Sequence, residues 1–321
     1  MFRNLPQVLP AKQLLDQSIK KTKKVNIHDR DKRYEIKKIV IARTELFIEH
    51  LTSQLESYVK NFPSIDKLPL FYQEIIDIKI DTDKLKKSLG AIDWARKTAQ
   101  MVYSTQHGSL SKTGNIEFLK QKQKEIYGRI SSIVKQVDQH LIFVANAQRI
   151  LKTFPELSDV PTAVIAGYPN VGKSSLIRQL SAAKPEIAQY PFTTKQIYVG
   201  HMERKVRYEK KIYQIIDTPG LLDRPLRERN KIEQQAIAAL RHLADLVVFV
   251  TDPSETCGYP LGEQMKMVET VKKIFSDVPC IIVENKVDVK KTDTPNLKIS
   301  CVTDEGIETL RQEIFSYLDK V

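Results

Sequence analysis

The stretch GYPNVGKSS at residues 167–175 determines the fold class that the sequence predicts. It fits the pattern G-x-x-x-x-G-K-[S/T], in which a glycine-rich loop wraps phosphates with its backbone N–H groups. The β-branched run TAVIA at residues 162–166 precedes it, and a helical pattern follows from about residue 174. A strand before the loop and a helix after it are the context in which this pattern binds phosphate. We therefore predict a phosphate-binding loop, or P-loop, at the carboxyl end of a strand.

Around this loop, residues 156–321 alternate between short apolar runs and helical stretches. We interpret as strands the runs 162–166, 211–216, 245–250, 280–284 and 297–299. Strands that alternate with helices favour a mostly parallel sheet with helices on both faces. In such α/β sheets, ligands bind in the loops at the carboxyl ends of the strands.

The first half of the chain has a different pattern, the apolar periodicity of amphipathic helices. Long stripes occupy residues 36–58, 85–102 and 130–145, shorter candidates lie around 10–22 and 67–79, and a loop is predicted at 106–114. We predict an all-α antiparallel helical bundle whose core contains these stripes, Trp94 included. The proline-containing stretch at 153–161 ends the pattern, so the predicted domains are 1–155 and 156–321.

The 321-residue chain carries a net charge of +12, and all of this excess lies in the first half. Residues 1–155 contain 28 Lys and Arg against 16 Asp and Glu, whereas residues 156–321 contain 23 of each kind. The densest cluster lies between residues 20 and 38: Lys20, Lys21, Lys23, Lys24, Arg30, Lys32, Arg33, Lys37 and Lys38. A charge run is often only a solvated face, but an excess confined to one domain favours a polyanion partner, of which nucleic acid is the natural one.

Composition excludes several classes of protein. No apolar stretch approaches the roughly 18 residues that span a bilayer, so we expect no membrane association. The three cysteines, Cys257, Cys280 and Cys301, lack both metal-ligand spacing and a disulfide framework, and the six histidines form no ligand cluster. These features predict a cytoplasmic protein, and we expect a monomer.

The P-loop assigns roles to its own residues. Lys173 is predicted to neutralise the β- and γ-phosphate charge, and the Ser174 hydroxyl to bind Mg²⁺. The motif DTPG at 217–220 follows the next strand, where Asp217 would join the Mg²⁺ shell and the Gly220 amide would reach the γ-phosphate.

A third motif, NKVD at 285–288, predicts which base is bound. The Asp288 carboxylate can accept hydrogen bonds from guanine N1–H and its amine, whereas adenine would leave this carboxylate unpaired. We expect Asn285 to tie this loop to the P-loop and the Lys286 stem to cover the base plane. The segment SCVT at 300–303 follows the last strand and would approach guanine O6 through a backbone N–H. The predicted nucleotide-contacting residues are Asn170, Val171, Gly172, Lys173, Ser174, Ser175, Asn285, Lys286, Asp288, Ser300 and Cys301.

These four motifs together resemble TRAFAC-class GTPases, and FTT at 192–194 resembles the switch I signature of the Obg group. The likeness is most specific to nucleolar GTP-binding proteins of the Nog type, in a short form without the C-terminal extension of eukaryotic members. It rests on GYPNVGKSS (167–175), YPFTTK (190–195), VGHM (199–202), DTPGLLDRPLRERN (217–230), DPSETCG (252–258) and AIDWARK (91–97). The resemblance implies an α/β P-loop GTPase domain, binding of GTP, GDP and Mg²⁺, and action on precursor large ribosomal subunits and their rRNA. It also implies that Thr194, with Thr193 as the alternative, binds Mg²⁺ together with Ser174 and Asp217.

Hydrolysis is predicted to be slow. Ras-like enzymes orient the attacking water with a Gln after the switch II glycine, and here Leu221 occupies that position. The residues assigned to catalysis are Lys173, Thr194, Gly220 and Asn170. Some relatives with an Asn in the P-loop use K⁺ at this point, so Asn170 is either a potassium-site residue or a brace for switch I.

Two functions remain open. The leading one is an enzyme used as a switch, in which GTP orders switch I (about 185–197) and switch II (218–230). The alternative is a nucleotide-gated RNA-binding scaffold with negligible turnover, for which Leu221 is the supporting feature.

Overall fold

A computed structural model of the chain describes residues 2–154, 157–189, 196–206, 209–217, 219, 222–223 and 229–321. The chain divides into two compact units. The first comprises Met1–Lys67 and Ile80–Lys152, and the second comprises Leu68–Lys79 and Thr153–Val321.

The first unit is helical throughout its described elements. These are α1 (Ala11–Thr22), α2 (Lys32–Lys60), α4 (Thr82–Lys112), α5 (Ile116–Gln136) and α6 (Asp138–Leu151), with 3₁₀ turns at Phe2–Asn4 and Ile65–Lys67. Polar residues begin the long helices: the Asp31 carboxylate accepts a hydrogen bond from Arg33 N–H at 2.7 Å, and Asn115 accepts from Glu117 N–H at 3.0 Å. The long α4 packs against α2, α5 and α6 and buries Leu85, Ile92 and Ala99.

Three details of the helical prediction are wrong. Trp94 was expected in the core, but its residue surface is 49% exposed, because it lies on the face of α4 opposite Ile92 and Ala99. The predicted loop at 106–114 is shorter than expected, since α4 continues to Lys112. The stripe at 130–145 belongs to two helices, which meet at Val137.

The second unit is an α/β domain. Its elements are α3 (Leu70–Ile80), β1 (Thr162–Ala166), α7 (Lys173–Leu180), β2 (Glu186–Gln189), β3 (Gln196–Val206), β4 (Glu209–Asp217), α8 (Lys231–Leu240), β5 (Leu246–Thr251), α9 (Leu261–Ile274), β6 (Cys280–Glu284), β7 (Leu297–Lys298) and α10 (Ile307–Leu318). The described strands form a seven-stranded sheet in the order β2-β3-β4-β1-β5-β6-β7. Pairing is antiparallel between β2, β3 and β4 and parallel from β4 through β7.

The sheet explains why the ligand-binding motifs meet. Every residue of β1 and β5 is buried, as expected for central parallel strands with both faces covered. Because β1, β4, β5 and β6 run parallel, the P-loop, Asp217, Asp252 and NKVD all follow strands at the same edge. The predicted fold class, a helical domain followed by an α/β domain with a mostly parallel sheet, is confirmed.

The segment that contains α3 groups with the second unit, although the sequence predicts one uninterrupted helical domain over 1–155. Within this unit, the Tyr72 hydroxyl accepts a hydrogen bond from Leu157 N–H at 2.9 Å, and Glu74 lies 3.0 Å from His242 Nε2. The boundary at 155/156 itself stays a prediction.

Candidate nucleotide-binding site

The P-loop has a backbone that its glycines make possible. Gly167 follows β1 with a φ of 139°, and Gly172 precedes α7 with a φ of 106°. A Cβ at Gly167 would lie 2.3 Å from Val250 O, and a Cβ at Gly172 would lie 2.1 Å from Asn285 Nδ2. Asn170 also has a positive φ, 62°. The sequence therefore folds locally into a tight turn that opens α7 with its N–H groups at the end of the sheet.

Lys173 is the buried cation of this loop, with 8% of its surface exposed. Its ammonium donates hydrogen bonds of 2.8 Å each to the carbonyl oxygens of Gly167 and Tyr168. The backbone of the loop thus fixes the Lys173 ammonium near the amino end of α7. An anion is favoured at this end because the N–H groups and the helix dipole point towards it.

Ser174 and Asp217 form the oxygen-rich part of the site. The Ser174 hydroxyl donates to Asp217 Oδ2 at 2.9 Å, and Asp217 is fully buried at the end of β4. A hydroxyl and a carboxylate are the hard oxygen ligands that Mg²⁺ prefers, so these two predicted residues fit the metal. The other predicted phosphate and metal residues, Thr194 and Gly220, lie outside the described residues, as does Leu221.

Asn285 joins the P-loop to the NKVD loop and to the segment that follows β7. It is 2% exposed, directly after β6. Its Nδ2 donates to Val171 O at 2.8 Å, and its Oδ1 accepts from Cys301 N–H at 3.1 Å. One amide side chain therefore fixes the spacing of three loops, and the sequence prediction that Asn285 ties NKVD to the P-loop matches these contacts.

Asp288 is exposed and is oriented by Ser300, which is fully buried. The Ser300 hydroxyl donates to Asp288 Oδ1 at 2.5 Å and accepts from the N–H groups of Val302 and Thr303 at 3.2 Å each. This chain of hydrogen bonds fixes the carboxylate while leaving the residue accessible. Cys301 packs beside it as a neutral thiol, because burial raises its pKa to about 11. Its N–H, one of those in residues 300–303 that could approach guanine O6, donates to Asn285 Oδ1.

Lys286 has a partner that the sequence prediction missed. Its ammonium donates to Asp252 Oδ2 at 2.6 Å and to Thr256 Oγ1 at 2.8 Å. Asp252 is fully buried directly after β5. Burial alone would raise the pKa of this carboxyl, but hydrogen bonds from Lys286, Ser254 and Thr256 lower it below its ordinary value. The sequence did contain one indication of Asp252: it is an acidic residue directly after a buried strand, at the edge of the sheet where the other motifs lie.

Two more residues outside the predicted set hold the NKVD loop and the segment that follows β7. Gln179 on α7 donates from Nε2 to Cys301 O at 2.8 Å and to Asp304 Oδ1 at 2.5 Å. Glu284, 3% exposed, accepts from Thr294 at 2.6 Å and from Asn296 at 2.9 Å, and so closes the loop that begins with NKVD. Neither residue belongs to a short motif, so only the folded chain reveals these contacts.

Two further features concern metal ligands and membrane spans. Within the described ranges, no group of three or more His, Cys, Asp and Glu residues could hold a metal ion. Among the helices of the same ranges, none combines the length and the apolar character needed to cross a bilayer.

A mostly parallel sheet with a P-loop, a DxxG motif (here DTPG) and an NKxD motif (here NKVD) at the same edge defines the class of P-loop GTP-binding proteins. Comparison with known families agrees. The NOG1 N-terminal helical domain matches residues 2–158, and the model of nucleolar GTP-binding protein 1 (NOG1) matches residues 231–288. The chain belongs to the nucleolar GTP-binding protein 1 family, as its resemblance predicts.

Individual relatives extend over most of the chain. It is 38% identical over 297 residues to an uncharacterized protein of Methanocaldococcus jannaschii, an alignment that covers 90% of this chain and 81% of the relative. Nucleolar GTP-binding protein 1 of Drosophila melanogaster is 33% identical, with 94% of this chain and 46% of the relative covered. The same protein of Saccharomyces cerevisiae is 32% identical, with 90% and 44% covered. The chain thus spans less than half the length of these two eukaryotic relatives.

Proposed function

We propose that the protein is a GTP-hydrolysing switch that acts in assembly of the large ribosomal subunit. The observation that carries the nucleotide assignment is the Asn285 side chain, which holds the P-loop at Val171 and the last loop at Cys301. These contacts join the P-loop, the NKVD loop and the segment after β7 into one hydrogen-bonded frame, which supports the proposal of a phosphate cradle and a base-reading carboxylate in one site. The assembly role rests on family membership, because the relatives are named for the nucleolus.

At the phosphate end, the N–H groups of the P-loop and the Lys173 ammonium would bind the β- and γ-phosphates. Ser174 and Asp217 would hold Mg²⁺, together with Thr194. Bound Mg²⁺ would supply positive charge to the phosphates during transfer.

At the base end, Asp288 would accept from guanine N1–H and the exocyclic amine, while its Oδ1 keeps the Ser300 hydroxyl. Adenine offers no donor at these positions, and a carboxylate that loses its partners on binding costs affinity. The Lys286 stem would lie over the base plane. ATP is therefore the disfavoured nucleotide.

Hydrolysis is proposed to be slow, with Leu221 in place of a water-orienting Gln. GTP would order switch I and switch II, and hydrolysis would release them. The alternative, a nucleotide-gated scaffold with negligible turnover, is supported by the same Leu221. Single-turnover assays with and without ribosomal particles separate the two: acceleration by particles supports the switch, and absence of turnover in both supports the scaffold.

Potassium is a second open point at Asn170. If Asn170 helps to bind K⁺, turnover rises in potassium relative to sodium, and Asn170→Ala removes the difference. Equal rates in the two salts assign the residue to the alternative role, a brace for switch I.

The segment 20–38 is proposed as the rRNA contact. It spans the end of α1, the connecting loop and the start of α2, and its exposed cations include Lys23, Lys24 and Arg30. Lys38 is held by Asp29 at 2.6 Å, so part of the cluster is internally paired. Tyr34 lies among these cations with 59% exposure, which adds an aromatic surface of the kind on which unpaired bases stack. Cations with an exposed aromatic residue favour RNA over a merely solvated face.

Co-sedimentation of the protein with large-subunit particles, under GDP and under a non-hydrolysable GTP analogue, tests the proposed function. We expect binding that depends on the nucleotide and weakens as salt increases. Binding that ignores both the nucleotide and the salt contradicts the proposal. A cytoplasmic location and a monomeric state are part of the same proposal and are checked by fractionation and by light scattering.

A further inference from the structure

The loop that follows β5, residues 252–259, has a hydrogen-bond network that the P-loop and base motifs leave unexplained. Asp252 lies at its centre and is fully buried. One carboxylate oxygen, Oδ2, accepts from Lys286 Nζ at 2.6 Å, Cys257 N–H at 2.8 Å and Thr256 Oγ1 at 3.0 Å. The other, Oδ1, accepts from Ser254 N–H at 3.0 Å and from the Ser254 hydroxyl. A buried carboxylate is thus satisfied by one cation and by its own loop.

Gln264 on α9 holds the same loop from the other side. It is fully buried, and its Oε1 accepts from Asp252 N–H at 2.8 Å. Its Nε2 donates to the carbonyl oxygens of Asp252 at 3.0 Å and Tyr259 at 2.8 Å. The two ends of the loop are therefore fixed to one side chain. Asp252 consequently has little freedom to move with Lys286.

The loop also reaches the phosphate end of the site. The ring of Tyr259 packs on the ring of Tyr168 with centroids 4.3 Å apart, and the Tyr168 carbonyl accepts from Lys173 at 2.8 Å. Residues 252–259 therefore contact both the P-loop and the lysine of NKVD.

We infer that Asp252 is a positioning residue for the nucleotide base, which acts by clamping Lys286 so that its stem lies over the base plane. The inference rests on the proposed function. Lys286 has a backbone φ of 65° and 23% side-chain exposure, and Asp252 and Thr256 are the acceptors of its ammonium. A lysine side chain loses rotamer freedom when its stem covers a ring. If the ammonium is already anchored in the free protein, this entropy is lost on folding and no longer opposes nucleotide binding. The Asp252–Lys286 pair also neutralises this lysine, so Lys173 remains the P-loop cation for phosphate.

The decisive variant is Asp252→Asn, measured by GDP titration of the full chain. Its amide would present donor hydrogens to Lys286, Thr256 and Cys257, which all donate to Oδ2 now. We expect GDP affinity to fall about tenfold, because a partly buried ammonium loses its charged partner. The matched control is Asp245→Asn, which makes the same change at the opposite end of β5, where Asp245 accepts from Thr162 N–H at 2.8 Å. This control should bind GDP as the wild type does.

Two further measurements separate clamping from general loosening of the fold. In a Lys286→Met background, Asp252→Asn should cause no further loss, because its partner is already absent; an equal further loss overturns the inference. The loss caused by Asp252→Asn should also be the same for GDP and IDP, which differ only in the exocyclic amine. A loss confined to GDP assigns Asp252 to the base edge and likewise overturns it.

The remaining outcomes are distinct. If the wild type fails to bind guanine nucleotides, the proposed function itself fails. If the wild type binds GDP and Asp252→Asn binds it equally well, only the inference fails. Should Asp252→Asn not fold, Thr256→Val decides instead. It removes the second acceptor of Lys286 and should weaken GDP binding about threefold, an effect absent in the Lys286→Met background. Equal affinity of Thr256→Val and the wild type then overturns the inference.

Discussion

The nucleotide site and the basic segment 20–38 are built in opposite ways. In the nucleotide site, single atoms set the geometry: Asn285 Nδ2 lies only 2.1 Å from the position that a Cβ of residue 172 would take, and the Ser300 hydroxyl holds Asp288 Oδ1 at 2.5 Å. In the basic segment, exposed cations such as Lys23 and Lys24 extend into solvent from a loop. When the geometry of a site depends on individual contacts, one substitution can abolish binding. On a charged surface, each lost charge lowers the affinity by a small amount. The two regions therefore predict different mutational responses.

The largest effect is expected from Gly172→Ala. The new Cβ would overlap Asn285 Nδ2, and the φ of 106° is one that side chains rarely adopt. Both the P-loop and its link to NKVD would distort, so GDP binding should become undetectable in a calorimetric titration. Gly90→Ala is the matched control, because nothing lies within 4 Å of an added Cβ there and the residue is inside α4. It should keep full affinity and stabilise the fold by about 0.5–1 kcal/mol. Normal GDP binding by Gly172→Ala would remove the contrast between the two regions.

Asp288→Asn comes next and should change which base is bound rather than abolish binding. An amide exchanges one acceptor for a donor, so guanosine nucleotides should bind about a hundredfold more weakly and xanthosine nucleotides more tightly. Asp293→Asn, at an exposed position of the same loop, is the control and should leave both affinities unchanged. Unaltered GDP affinity in Asp288→Asn would show that another group selects the base.

The basic segment should respond gradually. Replacing Lys23 and Lys24 together by Ala should lower affinity for large-subunit particles and reduce the slope of log affinity against log salt by about two, if each lysine contacts one phosphate. Lys290→Ala, an exposed lysine of the second unit, should not change this slope. Loss of all particle binding in the Lys23/Lys24 double variant would mean that this segment, too, is a site of fixed contacts.

The smallest effect is expected from Trp94→Ala. Because Trp94 is 49% exposed, its removal should change the free energy of unfolding by less than about 1 kcal/mol. Ile92→Ala, in the buried face of the same helix, should cost about 2–5 kcal/mol. Denaturant titrations of the two variants make the comparison. Equal losses of unfolding free energy in the two variants would show that Trp94 belongs to the core, as its periodicity predicted.

Trp94 illustrates which features of the fold could be predicted from the sequence and which could not. Periodicity located the long helices, but an aromatic residue at the margin of an apolar stripe can lie on either face, and only packing decides. The strand runs at 162–166 and 280–284 match β1 and β6, since central parallel strands are continuous apolar runs. The hairpin strands β2 and β3 carry polar residues and were not predicted from periodicity.

In the candidate site, too, some residues could be predicted from the sequence and others could not. Residues of short motifs, such as Lys173 and Asp217, could be named because the motifs that contain them prescribe both residue type and spacing. Asp252 and Gln179 act through partners far along the chain: Lys286 is 34 positions from Asp252, and Cys301 is 122 positions from Gln179. Such pairs arise from the order of strands in the sheet, which a single sequence does not specify.

We propose that an amide-lined cradle and one carboxylate together select guanine nucleotides. Calorimetric titration of the full chain with GDP and with ADP, each with Mg²⁺, measures this selection. GDP should bind saturably and at least about a hundredfold more tightly than ADP. Equal affinities for the two nucleotides, or no binding of either, would show that these groups do not select guanine.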